Sequence, residues 1–199
     1  LVLAIESILK QTYNNIELII VDDNSNVETK NIISKYNNVK NIMILTNEFN
    51  YGCYSSINLA LNLCNGDYIT IHGSDDISFP DRYTRLMTDM IKNNLLMGGN
   101  YILRTHFDNF NNIDIDNPEN IFKSIITQNI INKPHNNECC KPLVSLGTLI
   151  YHKSVIENLG TFENNRKGGD MVYFEKFLRN YENISFNETD CSHRYLTKY

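Results

Sequence analysis

Two pairs of adjacent carboxylates, Asp22-Asp23 and Asp75-Asp76, each follow a short apolar run, and a further acid, Asp170, follows Gly168-Gly169. Neighbouring carboxylates repel and raise each other's pKa unless a cation or hydrogen-bond donors compensate them. A hard divalent ion such as Mn²⁺ or Mg²⁺ does so with one or two carboxylates and completes its shell with phosphate oxygens and water. A single acid such as Asp170 suits removal of a proton from a hydroxyl. The same residue types also build turns and helix N-caps. Taken alone, Asp170 reads first as an N-cap or first-turn acid favoured by the helix dipole.

The elements that must position these acids alternate helix and strand, the pattern of an α/β domain with a largely parallel sheet. The opening residues 1–9 read as a helix already in progress. Glu17-Leu18-Ile19-Ile20-Val21 is too short for a helix and is bounded by Asn14-Asn15 and Asp22-Asp23-Asn24-Ser25, so it is read as a buried strand. Helices are predicted over 27–36 and 54–63, and strands over 41–45 and 68–71. The last of these is left through His72-Gly73-Ser74-Asp75-Asp76. Pro80 is expected in the first turn of a helix running to about residue 93. Strands over 97–106 and 144–151 and helices over 119–131, 153–159 and 169–180 complete the reading. Ligands in open α/β sheets gather at the carboxyl ends of the strands, which brings both acid pairs to one crevice if the strands are parallel.

With 199 residues, 42% hydrophobic and 21% charged, the chain has the make-up of one globular domain and not of a disordered one. No uninterrupted apolar run approaches the ~20 residues of a membrane-spanning helix. A net charge of −5 argues against nucleic acid as a partner. Five cysteines, odd in number and without a C-x-x-C pair, read as reduced thiols of a cytosolic protein. No G-x-x-x-x-G-K loop supports nucleoside triphosphate hydrolysis. No signal peptide is recognisable, and with Leu1 opening mid-helix the sequence is expected to be a fragment.

The run Ala4-Ile5-Glu6-Ser7-Ile8-Leu9-x-Gln11-Thr12-Tyr13-x-Asn15-Ile16-Glu17-x-Ile19-Ile20-Val21-Asp22-Asp23-x-Ser25 resembles the start of the family 2 glycosyltransferases with the GT-A fold. Gly66-Asp67-Tyr68-Ile69-x-x-x-x-Ser74-Asp75-Asp76-x-x-x-Pro80-Asp81-Arg82 is similar to that family's metal-binding segment, and Arg166-Lys167-Gly168-Gly169-Asp170-x-x-x-Phe174 to the loop and helix start that carry the catalytic base of its inverting members. The resemblance implies a Rossmann-like α/β/α sandwich with a mostly parallel central sheet. It implies one catalytic domain over 1–199, with a nucleotide-sugar-binding part over 1–92 and an acceptor-binding part over 93–199. The implied reaction is inverting transfer of a sugar from a nucleotide-diphosphate donor, UDP-sugars favoured, to a hydroxyl of a glycan, protein or lipid-linked acceptor. In it Asp22, Asp23 and Asp75 face the donor nucleotide, Asp75 and Asp76 hold Mn²⁺ or Mg²⁺, Asp170 is the general base, and Gly147, Thr148 and Gly169 shape the acceptor pocket. The resemblance also implies that the family's first strand lies before Leu1, and that membrane association would come through parts outside this sequence.

The sequence departs from the family pattern at two places. Gly73 stands where many members carry the first acid of Asp-x-Asp-Asp, and Ile57 where an arginine is common. Other readings stay open: a catalytically impaired sugar-nucleotide or glycan-binding relative, and a receiver-like phosphorylation switch suggested by Leu18-Ile19-Ile20-Val21-Asp22-Asp23 and Lys141-Pro142. His72 reads as a packing residue or a diphosphate contact, and His193-Arg194 as a solvated end or a closing loop.

Overall fold

Helix α1 (Val2–Leu9) buries Ala4, Ile5, Ser7 and Ile8, the one-sided stripe expected at helical spacing. In a computed structural model of the chain, which describes residues 1–99, 102–105, 146–164, 168–181 and 195–198, this helix leads to β1 (Leu18–Asp22). Strand β1 pairs in parallel with β2 (Ile42–Thr46), Leu18 opposite Ile42 and Asp22 opposite Thr46. The crossover is α2 (Val27–Ser34), opened by Asn26, whose side chain accepts the Thr29 N–H at 2.9 Å. Helix α3 (Cys53–Leu61) packs on β1. There follow β3 (Tyr68–Thr70), β4 (Ile77–Ser78), α4 (Arg82–Lys92), β5 (Met97–Gly99) and β6 (Ile102–Thr105). A 3₁₀ turn (Leu146–Thr148) leads into β7 (Leu149–His152), α5 (Lys153–Leu159), α6 (Gly169–Asn180) and β8 (Tyr195–Lys198).

The strands form three small sheets, β1-β2, β3-β7-β5 and β4-β8-β6. Parallel pairing holds for β1–β2 and β6–β8, while β7 runs antiparallel to β3 and β5, and β8 antiparallel to β4. The apolar run Leu149-Ile150-Tyr151 is buried, and such a run fits a strand covered on both faces in either direction, so the sequence pattern carried no sign of its orientation. Other boundaries differ from expectation too. Pro80 lies ahead of α4, whose N-cap is Asp81, and its carbonyl accepts the Thr12 N–H at 2.8 Å. The strand expected over 97–106 is two strands, and residues 146–148 of the one expected over 144–151 form the 3₁₀ turn. The helix expected over 119–131 lies outside the described residues.

Strand β7 divides the core, because successive side chains point to opposite faces. Tyr151 joins Tyr54, Ile69, Val155, Leu159, Phe162, Tyr173 and Phe177. Ile150 joins Ile8, Tyr83, Leu86, Met87 and Met90.

Polar side chains of α1 and its exit hold the chain between β4 and α4. Ser7 Oγ accepts the Ser78 N–H at 3.1 Å. Gln11 Nε2 donates to the carbonyls of Phe79 (2.7 Å) and Ser7 (2.9 Å), and its Oε1 accepts the Tyr83 N–H at 3.1 Å. Gln11 is buried, so replacing it strands backbone groups away from water. Gln11→Ala is expected to lose about 1–3 kcal/mol of stability, read as a lower urea midpoint at unchanged m-value.

Candidate active site

Beyond β3 the chain makes a tight turn in which the Gly73 carbonyl accepts the Asp76 N–H at 3.3 Å. Asp75 is exposed, whereas Asp76 is 8% exposed. The carboxylates of both lean over Gly73. A Cβ added there would lie 2.2 Å from Asp76 Oδ2 and 3.2 Å from Asp75 Oδ1. The absent side chain at 73 is thus the space these oxygens flank.

A buried polar relay supports the turn. Arg82, 0% exposed, donates from Nη1 to Ser78 Oγ at 2.8 Å and from Nη2 to the Gly147 carbonyl. With that oxygen accepting from arginine, the Ser78 hydroxyl is free to donate to His72 Nε2 (3.0 Å), which leaves His72 Nδ1–H to donate to the Gly73 carbonyl (2.8 Å). Burial first, and then the Arg82 charge, push the imidazole pKa down to about 3. Of the two readings of His72, the structure supports packing: the ring is neutral and engaged within the fold.

The other acids gather at the start of α3. Asp23 Oδ1 accepts from Asn47 Nδ2 (2.8 Å) and the Tyr51 N–H (2.9 Å), and Oδ2 from the Gly52 N–H (2.8 Å). Burial raises the Asp23 pKa, and these bonds outweigh it, so the carboxyl titrates below the usual aspartate value. Gly52 is the N-cap of α3 with φ of +92°, a conformation that favours glycine. Asp22 is turned inward, 3% exposed. Its Oδ1 accepts the Ser25 N–H at 3.0 Å, and Oδ2 is buried without a hydrogen bond among the described residues.

Asp170 occupies the first turn of α6, after Gly168 as N-cap with φ of +74°. Tyr54, on the first turn of α3, donates its hydroxyl to Asp170 Oδ1 (3.1 Å) and accepts the Asp170 N–H (3.1 Å). Cys53 lies between Gly52, whose N–H bonds Asp23, and Tyr54, whose hydroxyl bonds Asp170; burial raises its thiol pKa, and the charges of Asp170 and then Asp23 raise it further. Asp23 and Asp170 therefore flank one helix start, and Asp75 and Asp76 share the acidic turn. Of the three residues expected to shape an acceptor pocket, Thr148 and Gly169 are buried and Gly147 is half-buried. Gly147 is bonded to Arg82 through its carbonyl, Thr148 is buried, and Gly169 lies beneath the Tyr54 ring, where a Cβ would meet Cζ at 2.8 Å. Arg166, Lys167, Lys141, His193 and Arg194 lie outside the described residues.

Among the described residues, no group of three or more His, Cys, Asp or Glu side chains is gathered for a metal ion. The Asp75 and Asp76 oxygens converging over Gly73 nevertheless fit a hard ion that takes one or two protein carboxylates and finds its other ligands in a diphosphate and water.

Residues 1–144 match the model of glycosyl transferase family 2. The chain belongs to this family. Over 99 residues it is 37% identical to the Escherichia coli UDP-Glc:alpha-D-GlcNAc-diphosphoundecaprenol beta-1,3-glucosyltransferase WfgD, covering 49% of this chain and 39% of that protein. It is 41% identical over 78 residues to the glycosyltransferase GlyG of Streptococcus pneumoniae, covering 39% of this chain and 26% of that one. The chain thus spans less than half the length of these relatives. Staphylococcus aureus TarS 1–349 in complex with UDP-GlcNAc superposes with a TM-score of 0.66 over 98% of this chain and 53% of its own, at 21% identity. The mannosyltransferase PcManGT of Pyrobaculum calidifontis, in complex with GDP-Man and Mn²⁺, gives 0.61 over 89% of this chain and 48% of its own, at 14% identity. At these identities the structures establish the fold, the GT-A α/β fold.

Sequence reasoning did not single out Tyr54, and it carried Arg82 only as part of a family motif; the contacts of both depend on partners far along the chain. Two outcomes follow from the turn. Gly73→Ala forces the Asp76 carboxylate aside and is expected to cost about 1–3 kcal/mol in urea unfolding. His72 is neutral in the fold and protonates near 6.5 when unfolded, so between pH 6.5 and about 3 the unfolded chain binds the extra proton and stability falls on acidification. The slope is up to about 1.4 kcal/mol per pH unit for one proton, and His72→Gln should flatten it between pH 6.5 and 5.

Proposed function

We propose that this chain carries the catalytic core of an inverting glycosyltransferase that moves a sugar from a nucleotide-diphosphate donor, a UDP-sugar by preference, to an acceptor hydroxyl. The observation that carries the proposal is the acidic turn at Gly73 to Asp76, on a chain that belongs to family 2. UDP is favoured because the TarS complex holds UDP-GlcNAc and the E. coli relative is named for UDP-Glc. The latter's name also favours a lipid-linked acceptor. Such an acceptor would place the protein at a membrane surface, although no helix among the described residues is long and apolar enough to cross one.

In this reading the part over 1–92 binds the donor and the part over 93–199 the acceptor. Asp76, supported by Asp75, would hold Mn²⁺ or Mg²⁺ against the donor diphosphate. When bound, the ion supplies Lewis-acid stabilisation of charge on the departing diphosphate. Asp23 orders the loop at 47–52 that borders the nucleotide, and buried Asp22 supports it from below. Asp170 accepts the proton of the acceptor hydroxyl as that oxygen attacks the anomeric carbon from the face opposite the diphosphate. Gly147, Thr148 and Gly169 serve the acceptor side through backbone placement.

A relative that binds sugar nucleotides without turnover is the second reading, favoured by Gly73 standing where many members carry an acid. One panel separates the two: thermal shift with UDP, GDP, CMP and dTDP, each with Mn²⁺, Mg²⁺ or EDTA, followed by nucleotide release from the matching sugar donor. A ligand that binds only the folded chain raises its melting temperature. The expected result is a metal-dependent shift with one nucleotide and release from its sugar donor. A shift without release selects the second reading, and no shift with any nucleotide overturns both. Asp170→Asn should lower kcat about 10²- to 10⁴-fold while the donor-induced shift is retained.

A further inference from the structure

The Tyr54 hydroxyl makes both of its hydrogen bonds to one residue, donating to Asp170 Oδ1 and accepting the Asp170 N–H, each at 3.1 Å. A group bonded to both the carboxylate and the backbone of the same residue fixes one relative to the other, because rotation about the Cα–Cβ bond breaks the first bond while the second stays. Among the described residues no hydrogen bond reaches Asp170 Oδ2, so that oxygen is the one available to take a proton.

The ring that carries this hydroxyl is itself held. Its Cζ, Cε2 and Cδ2 would lie 2.8, 2.9 and 3.0 Å from a Cβ at position 169, so only glycine admits the ring there. Tyr54 stacks on Phe162 with ring centroids 6.0 Å apart. The Phe162 backbone is gripped at both polar groups by Asn58, which donates to its carbonyl (2.8 Å) and accepts its N–H (3.0 Å). Ser55 adds a hydrogen bond to Asn164 Oδ1 at 2.5 Å. One helix, α3, thus grips the approach to α6 through Ser55 and Asn58 and the acid at its start through Tyr54.

We propose that Tyr54 is the positioning residue for Asp170, holding Oδ1 so that Oδ2 meets the acceptor hydroxyl. The proposal rests on the transferase reading above. In the step it serves, the proton of the acceptor hydroxyl passes to Asp170 Oδ2, the acceptor oxygen bonds to the anomeric carbon, and the bond from that carbon to the diphosphate breaks with its electron pair leaving on the diphosphate. Tyr54 keeps its proton throughout. Burial raises its pKa above the usual tyrosine value, and the Asp170 charge adds to that rise.

The test is a double-mutant cycle of Tyr54→Phe and Asp170→Asn, read in two ways. In nucleotide release from the donor found by the panel, Tyr54→Phe should lower kcat by about ten- to a hundredfold with the donor KM unchanged, and should add no further loss in the Asp170→Asn background. Gly169→Ala, which pushes the ring aside, should give the same kcat-specific loss. An unchanged kcat in Tyr54→Phe, a change confined to KM, or losses that multiply in the double variant would overturn the proposal. In urea unfolding the cycle is run with Asp170→Ala, which removes the Oδ1 acceptor; the two substitutions should be non-additive, and additivity would overturn the contact itself. A wild-type chain that releases no nucleotide defeats the transferase reading alone, and the unfolding cycle then still decides the contact.

Discussion

The Arg82 guanidinium is shut away from water, and a charge so placed must be met by acceptors or it destabilises the fold severely. The polar architecture around the acidic turn follows from that requirement. Nη1 goes to Ser78 and Nη2 to the Gly147 carbonyl, and the guanidinium carbon lies 5.0 Å from the centre of the Tyr83 ring. Because Ser78 Oγ accepts a hydrogen bond from arginine, its hydroxyl can donate to His72 Nε2, and His72 Nδ1–H can then donate to the Gly73 carbonyl. A planar fork that binds in two directions is what arginine offers and lysine does not. The same side chain therefore fixes the acidic turn and ties to it a segment 65 residues further along the chain.

Helix α3 plays the corresponding part on the other side. Its start is set by the Asp23 carboxylate, which gathers Asn47, Tyr51 and Gly52, and its first turn delivers Tyr54 to Asp170. An acid at the end of β1 and an acid at the start of α6 are thereby referred to one rigid element. Neither relation involves a ladder hydrogen bond, and both use short polar side chains whose bonds span large sequence separations.

What was legible in the sequence was what local pattern determines. The apolar run ending at Val21, the glycine-bearing entry to β3 and the helices over 153–159 and 169–180 each announce themselves through composition and punctuation, and the motifs around Asp22-Asp23 and Asp75-Asp76 carried the family. What was not legible depends on tertiary partners. The direction of β7 leaves no trace in Leu149-Ile150-Tyr151, since burial on two faces looks the same either way. Gly147, Thr148 and Gly169 were expected on the acceptor side, but the contacts they make, Gly147 with Arg82 and Gly169 with the Tyr54 ring, have no local signature. Ser7 and Gln11, which read as parts of a family motif, serve as brackets for the chain after β4. A tyrosine inside an amphipathic helix reads as core, and its hydroxyl partner 116 residues away has no local signature.

Glu17, immediately ahead of β1, accepts the backbone N–H groups of Asn65 (2.5 Å) and Gly66 (2.8 Å), in the segment leading into β3. Burial raises its pKa, and the hydrogen bonds from Asn65 and Gly66 together with the Lys153 charge bring it below the usual glutamate value. Among the described residues no ladder hydrogen bond joins β1 to β3, so this carboxylate is a direct polar tie between the starts of the two strands. The strands that lead to the two acid pairs are thus joined at their starts by a side-chain carboxylate and not, among the described residues, by a ladder.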